Sequence, residues 1–298
     1  MKKVIRVGTR GSTLAVKQTE LVLKRIKEKN PYIEFEIVKI TTKGDKMVDK
    51  PVEMLGGKGV FVKEIEKALL RGEIDMAVHS MKDMPYETVP GLLLIPVLER
   101  GNPQDVLVSR GKVPLKDLRG GAKIATSSLR RKAQITRLAP HVKVIPIRGN
   151  IETRINKMEE QNLDGLILAA SGLIRLGLTE IITEYFPTDV MVPAAWQGIL
   201  AVEFREDFYE VFNKTLYPYL YNKKTQIEAE IERKFLKIFG VDCRTPFGVY
   251  ANYLEDGKVH VNLFLEKGEK FFKKNFIADI KNIDEAIDRL IKEFGDEI

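Results

Sequence analysis

Four short segments of this 298-residue sequence place hydroxyl, guanidinium and carboxylate side chains directly after apolar, strand-like runs. They are Thr9-Arg10-Gly11-Ser12, His79-Ser80-Met81-Lys82-Asp83, Thr126-Ser127-Ser128-Leu129-Arg130-Arg131 and Arg148-Gly149-Asn150. Hydroxyls and backbone N–H groups that open a helix carry partial positive charge, and a guanidinium pairs with a carboxylate or phosphate through two parallel hydrogen bonds. The ligand suited to all four segments is an anion bearing several acidic groups. Asp83 is a carboxylate lodged among these cations, able to stabilise a cationic intermediate and to assist proton transfer. Each feature also has a plainer reading: Ser127 and Ser128 as helix caps, Arg148 and Arg154 as a solvated face, Arg130-Arg131-Lys132 as a nucleic-acid contact, Asp83 as a turn residue. Their recurrence at one topological position, just beyond strand ends, is what favours a binding site.

The charge distribution points the same way. The window from Arg119 to Arg154 holds nine Lys or Arg and one acid, Glu152, so it contributes +8, while the remaining 40 basic and 41 acidic residues nearly cancel. Such a concentration suits a nucleic-acid patch, a solvated helix face, or a cleft that neutralises a polyanionic small molecule. The basic residues lie in loops without interleaved aromatics and no nucleic-acid motif is present, so no nucleic-acid partner is expected.

Other chemistries find little support. Three scattered histidines (His79, His141, His260) and one cysteine, Cys243, give no metal-ligand spacing and no intramolecular disulfide. Gly56-Gly57-Lys58-Gly59 lacks the Gly-Lys-Ser/Thr ending of a phosphate-binding loop, so a lid from about Lys43 to Lys58 is the better reading. Cys243 sits in the polar turn Val241-Asp242-Cys243-Arg244-Thr245-Pro246, which favours an accessible thiol; Asp242 pulls its pKa upward and Arg244 downward. The longest apolar run, Leu92 to Leu98, is far shorter than the roughly 18 residues a bilayer span needs. Arg6 and Arg10 interrupt any signal-peptide core. A cytoplasmic protein without a membrane partner is the expectation.

The elements that must position these residues follow from periodicity. Strands are expected at Val4–Thr9, Glu34–Ile40, Ile74–Val78 and Leu92–Val97, alternating with helices at Thr13–Glu28 and Val62–Arg71, a βαβ rhythm that predicts a mostly parallel sheet. From about Asn102 the rhythm restarts: Asp105–Ser109, Lys123–Ala125 into a helix from Ser127, Val142–Ile147 into a helix from Ile151, and Leu166–Ala169. A strand at Ile199–Phe204 is a candidate to return to the first sheet. Beyond Tyr217 the pattern becomes a helix Thr225–Phe239, two antiparallel strands Gly248–Leu254 and Val259–Leu265 around Glu255-Asp256-Gly257, and a helix Ile283–Phe294. The expected organisation is two α/β domains, residues 1–98 with 195–216 and residues 99–194, followed by a smaller α+β domain, 217–298.

With these residues in view, the chain resembles the porphobilinogen deaminases, also called hydroxymethylbilane synthases, of tetrapyrrole (heme) biosynthesis. The resemblance rests on Thr9 to Ala15, Gly56 to Glu64, His79-Ser80-Met81-Lys82-Asp83, Gly120 to Arg131, Arg148-Gly149-Asn150 with Thr153-Arg154, and Pro193 to Gly198. It implies two domains like the halves of a periplasmic binding protein with the active cleft between them, and a third domain carrying the cofactor cysteine. It further implies a dipyrromethane cofactor joined by a thioether to Cys243, and a monomeric transferase. That enzyme would condense four porphobilinogen molecules with loss of ammonia and then release hydroxymethylbilane by hydrolysis. Carried over by position, Ser80, Lys82, Asp83, Thr126, Ser127, Ser128, Arg130, Arg131, Arg148 and Gly149 would hold the cofactor. Arg10, Ser12, Arg148, Arg154 and Arg175 would hold substrate, Lys58 would belong to the lid, and Asp83 would be catalytic. The arginines would then be counter-charge for a chain whose every pyrrole brings an acetate and a propionate. Val241-Asp242 stands where the family usually has Gly-Gly, and Arg244-Thr245 departs from the more usual residues before Pro246. A noncatalytic anion-binding protein of the same two-lobed fold is the alternative; it would need neither Asp83 nor Cys243.

Overall fold

The computed structural model describes residues 4–46, 62–240, 245–268 and 270–297. Lys58, Cys243 with its neighbours Val241 to Arg244, and most of the expected lid lie outside the described residues. By internal contacts the chain forms two compact units, Met1–Gly101 with Gly198–Gln226, and Asn102–Gln197 with Ile227–Ile298.

In the first unit β1 (Val4–Arg10), β2 (Glu34–Ile40), β3 (Met76–Ser80), β4 (Leu92–Val97) and β10 (Leu200–Arg205) form a sheet in the order β2-β1-β3-β10-β4. β1 runs parallel to β2 and β3, whereas β10 is antiparallel to both β3 and β4. One face is covered by α1 (Thr13–Lys27), whose stripe Val22, Leu23 and Ile26 packs with Ile5, Val7 and Val202. Ser12 caps the start of α1, and Lys24, Arg25 and Lys27 in its last turn complement the negative end of the helix dipole. The same core takes in Phe208 from a 3₁₀ turn at Glu206–Phe208, just before α7 (Tyr209–Val211), Phe212 and Leu216 from a π turn at Phe212–Leu216, and Leu220 from α8 (Tyr217–Leu220). α2 (Lys43–Lys46) follows β2, and α3 (Lys63–Leu70) buries Ile65, Ala68 and Leu69 on the opposite sheet face, against Ile74, Ala77 and Leu92.

The second unit repeats this plan. β5 (Asp105–Ser109), β6 (Lys123–Ala125), β7 (Lys143–Ile145), β8 (Gly165–Ala169) and β9 (Glu184–Tyr185) pair in the order β7-β6-β8-β5-β9. β6 is parallel to β7 and β8, and β5 is antiparallel to β8 and β9. α4 (Leu129–Leu138), α5 (Ile151–Glu160) and α6 (Ala170–Leu176) follow β6, β7 and β8. In each sheet the reversed strand, β10 or β5, is the first one formed after the chain enters that unit. The parallel expectation therefore fails at one strand per sheet, because the chain arrives there by a direct crossing and not by a βα return.

The second unit also contains α9 (Lys223–Phe239) from Ile227 onward, an antiparallel sheet of β11 (Phe247–Tyr253), β12 (Lys258–Lys267) and β13 (Lys270–Asp279), and α10 (Ile283–Glu297). This sheet meets α4 at a cluster of Ala133, Val192 and Phe264. Gly248 on β11 is required there, since a Cβ would lie 2.8 Å from the carbonyl oxygens of Val192 and Pro193 and 3.1 Å from Arg130 Cδ. β13 has no counterpart in the expected strands. Phe271 and Ile277 are exposed on one face while Phe272 is buried on the other, so the sequence alternation is blurred.

Candidate functional site

Within the first unit, the carboxyl ends of the neighbouring parallel strands β1 and β3 bring together Arg10, Ser12, Ser80, Lys82 and Asp83. Ser12 is the N-cap of α1, its hydroxyl accepting from Ala15 N at 3.3 Å. Ser80 ends β3 and its hydroxyl accepts from Gln18 Nε2 of α1 at 2.8 Å. A single 3₁₀ turn, Met81–Asp83, follows; Met81 and Met84 are buried on either side of Lys82 and Asp83, and Met81 N donates to Ile199 O at 2.9 Å. These apolar anchors leave the two charged residues between them half-buried at the strand end. The Asp83 carboxylate makes no hydrogen bond or ion pair with the described residues. Arg10 Nη2 meets Asp45 Oδ1 at 2.5 Å.

Within the second unit, β6 and β7 end side by side, with Ala125 opposite Ile145, and carry Thr126, Ser127, Ser128, Arg148, Gly149 and Arg154. Ser128 caps α4, accepting from Arg131 N at 3.4 Å, and Thr126 Oγ1 accepts from Ser128 N at 3.2 Å. Ser127 is a brace between the two loops: its hydroxyl donates to Ile147 O at 2.6 Å and accepts from Ile147 N at 2.9 Å. Gly149 has φ +119°, and a Cβ there would lie 2.6 Å from Thr153 Cγ2. Arg154 Nε donates to Gly149 O at 2.7 Å. Arg148 Nη1 is buried and has no hydrogen-bond partner among the described residues. Arg175, in the last turn of α6, is pushed down to about 10 by burial alone.

Arg130 and Arg131 are placed differently. They are 5% and 7% exposed, and both turn inward to Asp105, which opens β5 and is wholly buried. Arg130 Nη1 donates to Asp105 Oδ2 at 2.6 Å and to Val192 O at 2.7 Å. Arg131 Nε and Nη2 reach Asp105 Oδ1 at 2.9 and 2.8 Å, and its Nη1 donates to Ile167 O at 2.9 Å. Gln197 Nε2 adds a 3.0 Å hydrogen bond to Oδ1. Burial pushes the Asp105 carboxyl up, but Arg130 and Arg131 outweigh it and hold the group well below the usual carboxylate range. Arg130 Nε and Nη2 make no hydrogen bond among the described residues.

Sequence reasoning passed over Asp105, Gln197, Gln18 and Asp45, each of which fixes a site residue. The one available signal was Asp105 itself, an acid opening the otherwise apolar strand Val106-Leu107-Val108. A second buried carboxylate, Glu232 on α9, accepts from Trp196 N and, at 2.8 Å, from Ala251 N. It thereby ties the Trp196-Gln197 turn to β11 and to the helix that leads toward Cys243. Among the described residues no cluster of three or more His, Cys, Asp or Glu side chains could hold a metal ion, and no helix is long and apolar enough to cross a membrane.

The arrangement amounts to two sets of anion donors, each at the carboxyl ends of parallel strands, with one carboxylate in the first set that has no partner among the described residues. Residues 5–213 match the family described as "Porphobilinogen deaminase, dipyromethane cofactor binding domain". The porphobilinogen deaminase of Geotalea uraniireducens is 46% identical over 249 residues, covering 84% of this chain and 77% of that one. Those of Alkaliphilus metalliredigens and Clostridium acetobutylicum are 42% and 43% identical over 93% of this chain and 88% and 94% of theirs. The chain belongs to the porphobilinogen deaminase family.

Proposed function

We propose that the protein is a transferase that joins four porphobilinogen molecules head to tail, with loss of ammonia at each addition, and releases hydroxymethylbilane by hydrolysis. The observation that carries this reading is Asp83: a half-buried carboxylate without a partner among the described residues, held beside Lys82 by two buried methionines, at a strand end otherwise furnished with anion donors.

The residues present fit a dipyrromethane, which carries four carboxylates. The buried Nη1 of Arg148, without a partner among the described residues, is a donor suited to an acidic oxygen. Ser80, Lys82, Asp83, Thr126, Ser127, Ser128, Arg148 and Gly149 would hold the group, with its thioether on Cys243. Arg130 and Arg131 would use N–H groups that Asp105, Val192 O and Ile167 O leave over, each guanidinium having five. When bound, the dipyrromethane supplies the nucleophilic pyrrole carbon to which units are added, one proton being released per bond. Arg10, Ser12, Arg148, Arg154 and Arg175 would receive the acetate and propionate of the incoming porphobilinogen. Asp83 accepts the pyrrole N–H of that substrate. As the aminomethyl C–N bond breaks, its electron pair leaves with nitrogen, so the ammonium form departs as ammonia and the methylene carbon is left cationic. The ring nitrogen shares this charge, and Asp83, already facing the N–H, stabilises it without reorganising.

The test is an intact mass of the chain, with peptide mapping around Cys243, before and after a pulse of porphobilinogen. A mass excess of two pyrrole units on the Cys243 peptide and a ladder of further units are expected. Asp83→Ala should keep the two-unit excess while turnover falls by about 10²–10⁴. A folded Asp83→Ala protein with near-normal turnover, or a chain that takes up no pyrrole units, would overturn the reading.

A further inference from the structure

Asp45 is held by two separate arrangements, one on each carboxylate oxygen. Thr42, just before α2, and Asp45, three residues on, form a reciprocal cap. Thr42 N and Oγ1 donate to Asp45 Oδ2 at 3.1 and 2.7 Å, and Asp45 N donates to Thr42 Oγ1 at 3.3 Å. The turn is complete with Oδ2 alone. Oδ1 points the other way, to Arg10 Nη2 at 2.5 Å.

This pair differs from those in which Asp105 and Asp75 hold arginines. Asp105 and Asp75 are 0% and 1% exposed, so no solute reaches the acid that holds Arg130, Arg131 or Arg6. Asp45 and Arg10 each keep 22% of their side-chain surface in solvent, at the strand end that also carries Ser12 and Ser80. Burial raises the Asp45 carboxyl, but Arg10 and Thr42 outweigh it, so Asp45 is an anion at neutral pH.

We infer that Asp45 occupies on Arg10 the place that a porphobilinogen carboxylate takes, and so sets substrate affinity by competition. The inference rests on the reading of Arg10 as a substrate contact. An incoming carboxylate meets a guanidinium whose acid-facing edge is already filled, and its apparent affinity is reduced by the fraction of Arg10 that is released. A pair that keeps part of its surface in water can exchange with a solute carboxylate, which limits the effect to about threefold to fivefold.

The experiment compares three variants of the holoenzyme in steady-state kinetics with porphobilinogen, and follows hydrogen exchange in the peptide spanning 42–46. Asp45→Asn keeps an oxygen for Thr42 N but removes the charge facing Arg10; its KM should fall about threefold to fivefold, more at low salt than at high. Thr42→Val removes the capping hydroxyl and leaves the ion pair; its KM should stay within about twofold of the natural chain, by the same competition argument. Saturating porphobilinogen should speed exchange of the 42–46 peptide in the natural chain and add nothing in Asp45→Asn. A KM for Asp45→Asn that is unchanged or raised, the same fall in Thr42→Val, or exchange that substrate does not move, would overturn the inference. Arg10→Gln separates the two levels. A raised KM there keeps the substrate role of Arg10 whatever Asp45 does, and an unchanged KM removes that role itself.

Discussion

Asp105 offers the sharpest test of how the second unit is held together. Its carboxylate is wholly buried and takes four donors: Arg130 Nη1 at 2.6 Å, Arg131 Nε and Nη2 at 2.9 and 2.8 Å, and Gln197 Nε2 at 3.0 Å. Asp105→Ala leaves two guanidiniums, 5% and 7% exposed, with no counter-charge. Removing one partner of a buried ion pair costs about 3–5 kcal/mol, against a total of about 5–15 kcal/mol for a native protein. Because a chain of two units need not unfold in one step, the measurement is native-state hydrogen exchange of the α4 and β5 amides together with urea denaturation. The opening free energy of α4 should fall by about 3 kcal/mol or more in Asp105→Ala, and replacing Asp105, Arg130 and Arg131 together by apolar residues of similar volume should recover most of it. The same group gives a pH signature. Its folded pKa lies below its unfolded value, so its contribution is fully present above the unfolded pKa of about 4 and is lost as pH falls through the folded value. Asp105→Asn should therefore flatten the acid limb of the stability curve. A loss under about 1 kcal/mol in Asp105→Ala, or an unchanged acid limb in Asp105→Asn, would refute the argument that this carboxylate neutralises the arginine pair.

Three further outcomes follow from the second unit. Arg148→Gln should raise KM for porphobilinogen about tenfold, as expected when a charge-assisted hydrogen bond is lost, while thermal stability stays level or rises, since its buried Nη1 has no partner to lose among the described residues. Gly149→Ala should cost about 1–3 kcal/mol in thermal or urea unfolding, because φ is +119° and the new Cβ meets Thr153; Thr153→Ala in the same chain should return the steric part alone. Ser127→Ala should cost about 1–2 kcal/mol and speed exchange of the Ile147 amide, which its hydroxyl accepts at 2.9 Å.

Much of the scaffold was legible in the chain because its periodicities are local. β2, β4, β5 and β6 begin and end where the apolar pattern puts them, and the start of α5 at Ile151 is equally plain. The plainer reading of Ser128 as a helix cap agrees with the structure, since a cap is decided by the few residues that follow it. The return of the Leu200–Arg205 strand to the first sheet agrees with the reading of Ile199–Phe204 as a candidate. Its antiparallel place between β3 and β4 depends instead on partners more than a hundred residues away. β13 escaped notice because its apolar residues fall on both faces of the strand.

The sequence by itself determined which residue types stand at the strand ends, and with them the anion-binding character and the family. Tertiary structure decided what those residues are free to do. Arg130 and Arg131 look in sequence like two more cations for a ligand, yet Asp105, 25 and 26 positions away, turns both inward. Ser127 looks like a cap and is a brace to Ile147, twenty residues on. Arg10 meets Asp45 across 35 residues, while Asp83 meets no described partner. The physical reason is one of range: turns, caps and strand patterns are set by neighbours in sequence. The pairing of a charge is set by whichever opposite charge the fold brings within about 4 Å, where burial removes the water that would otherwise screen it.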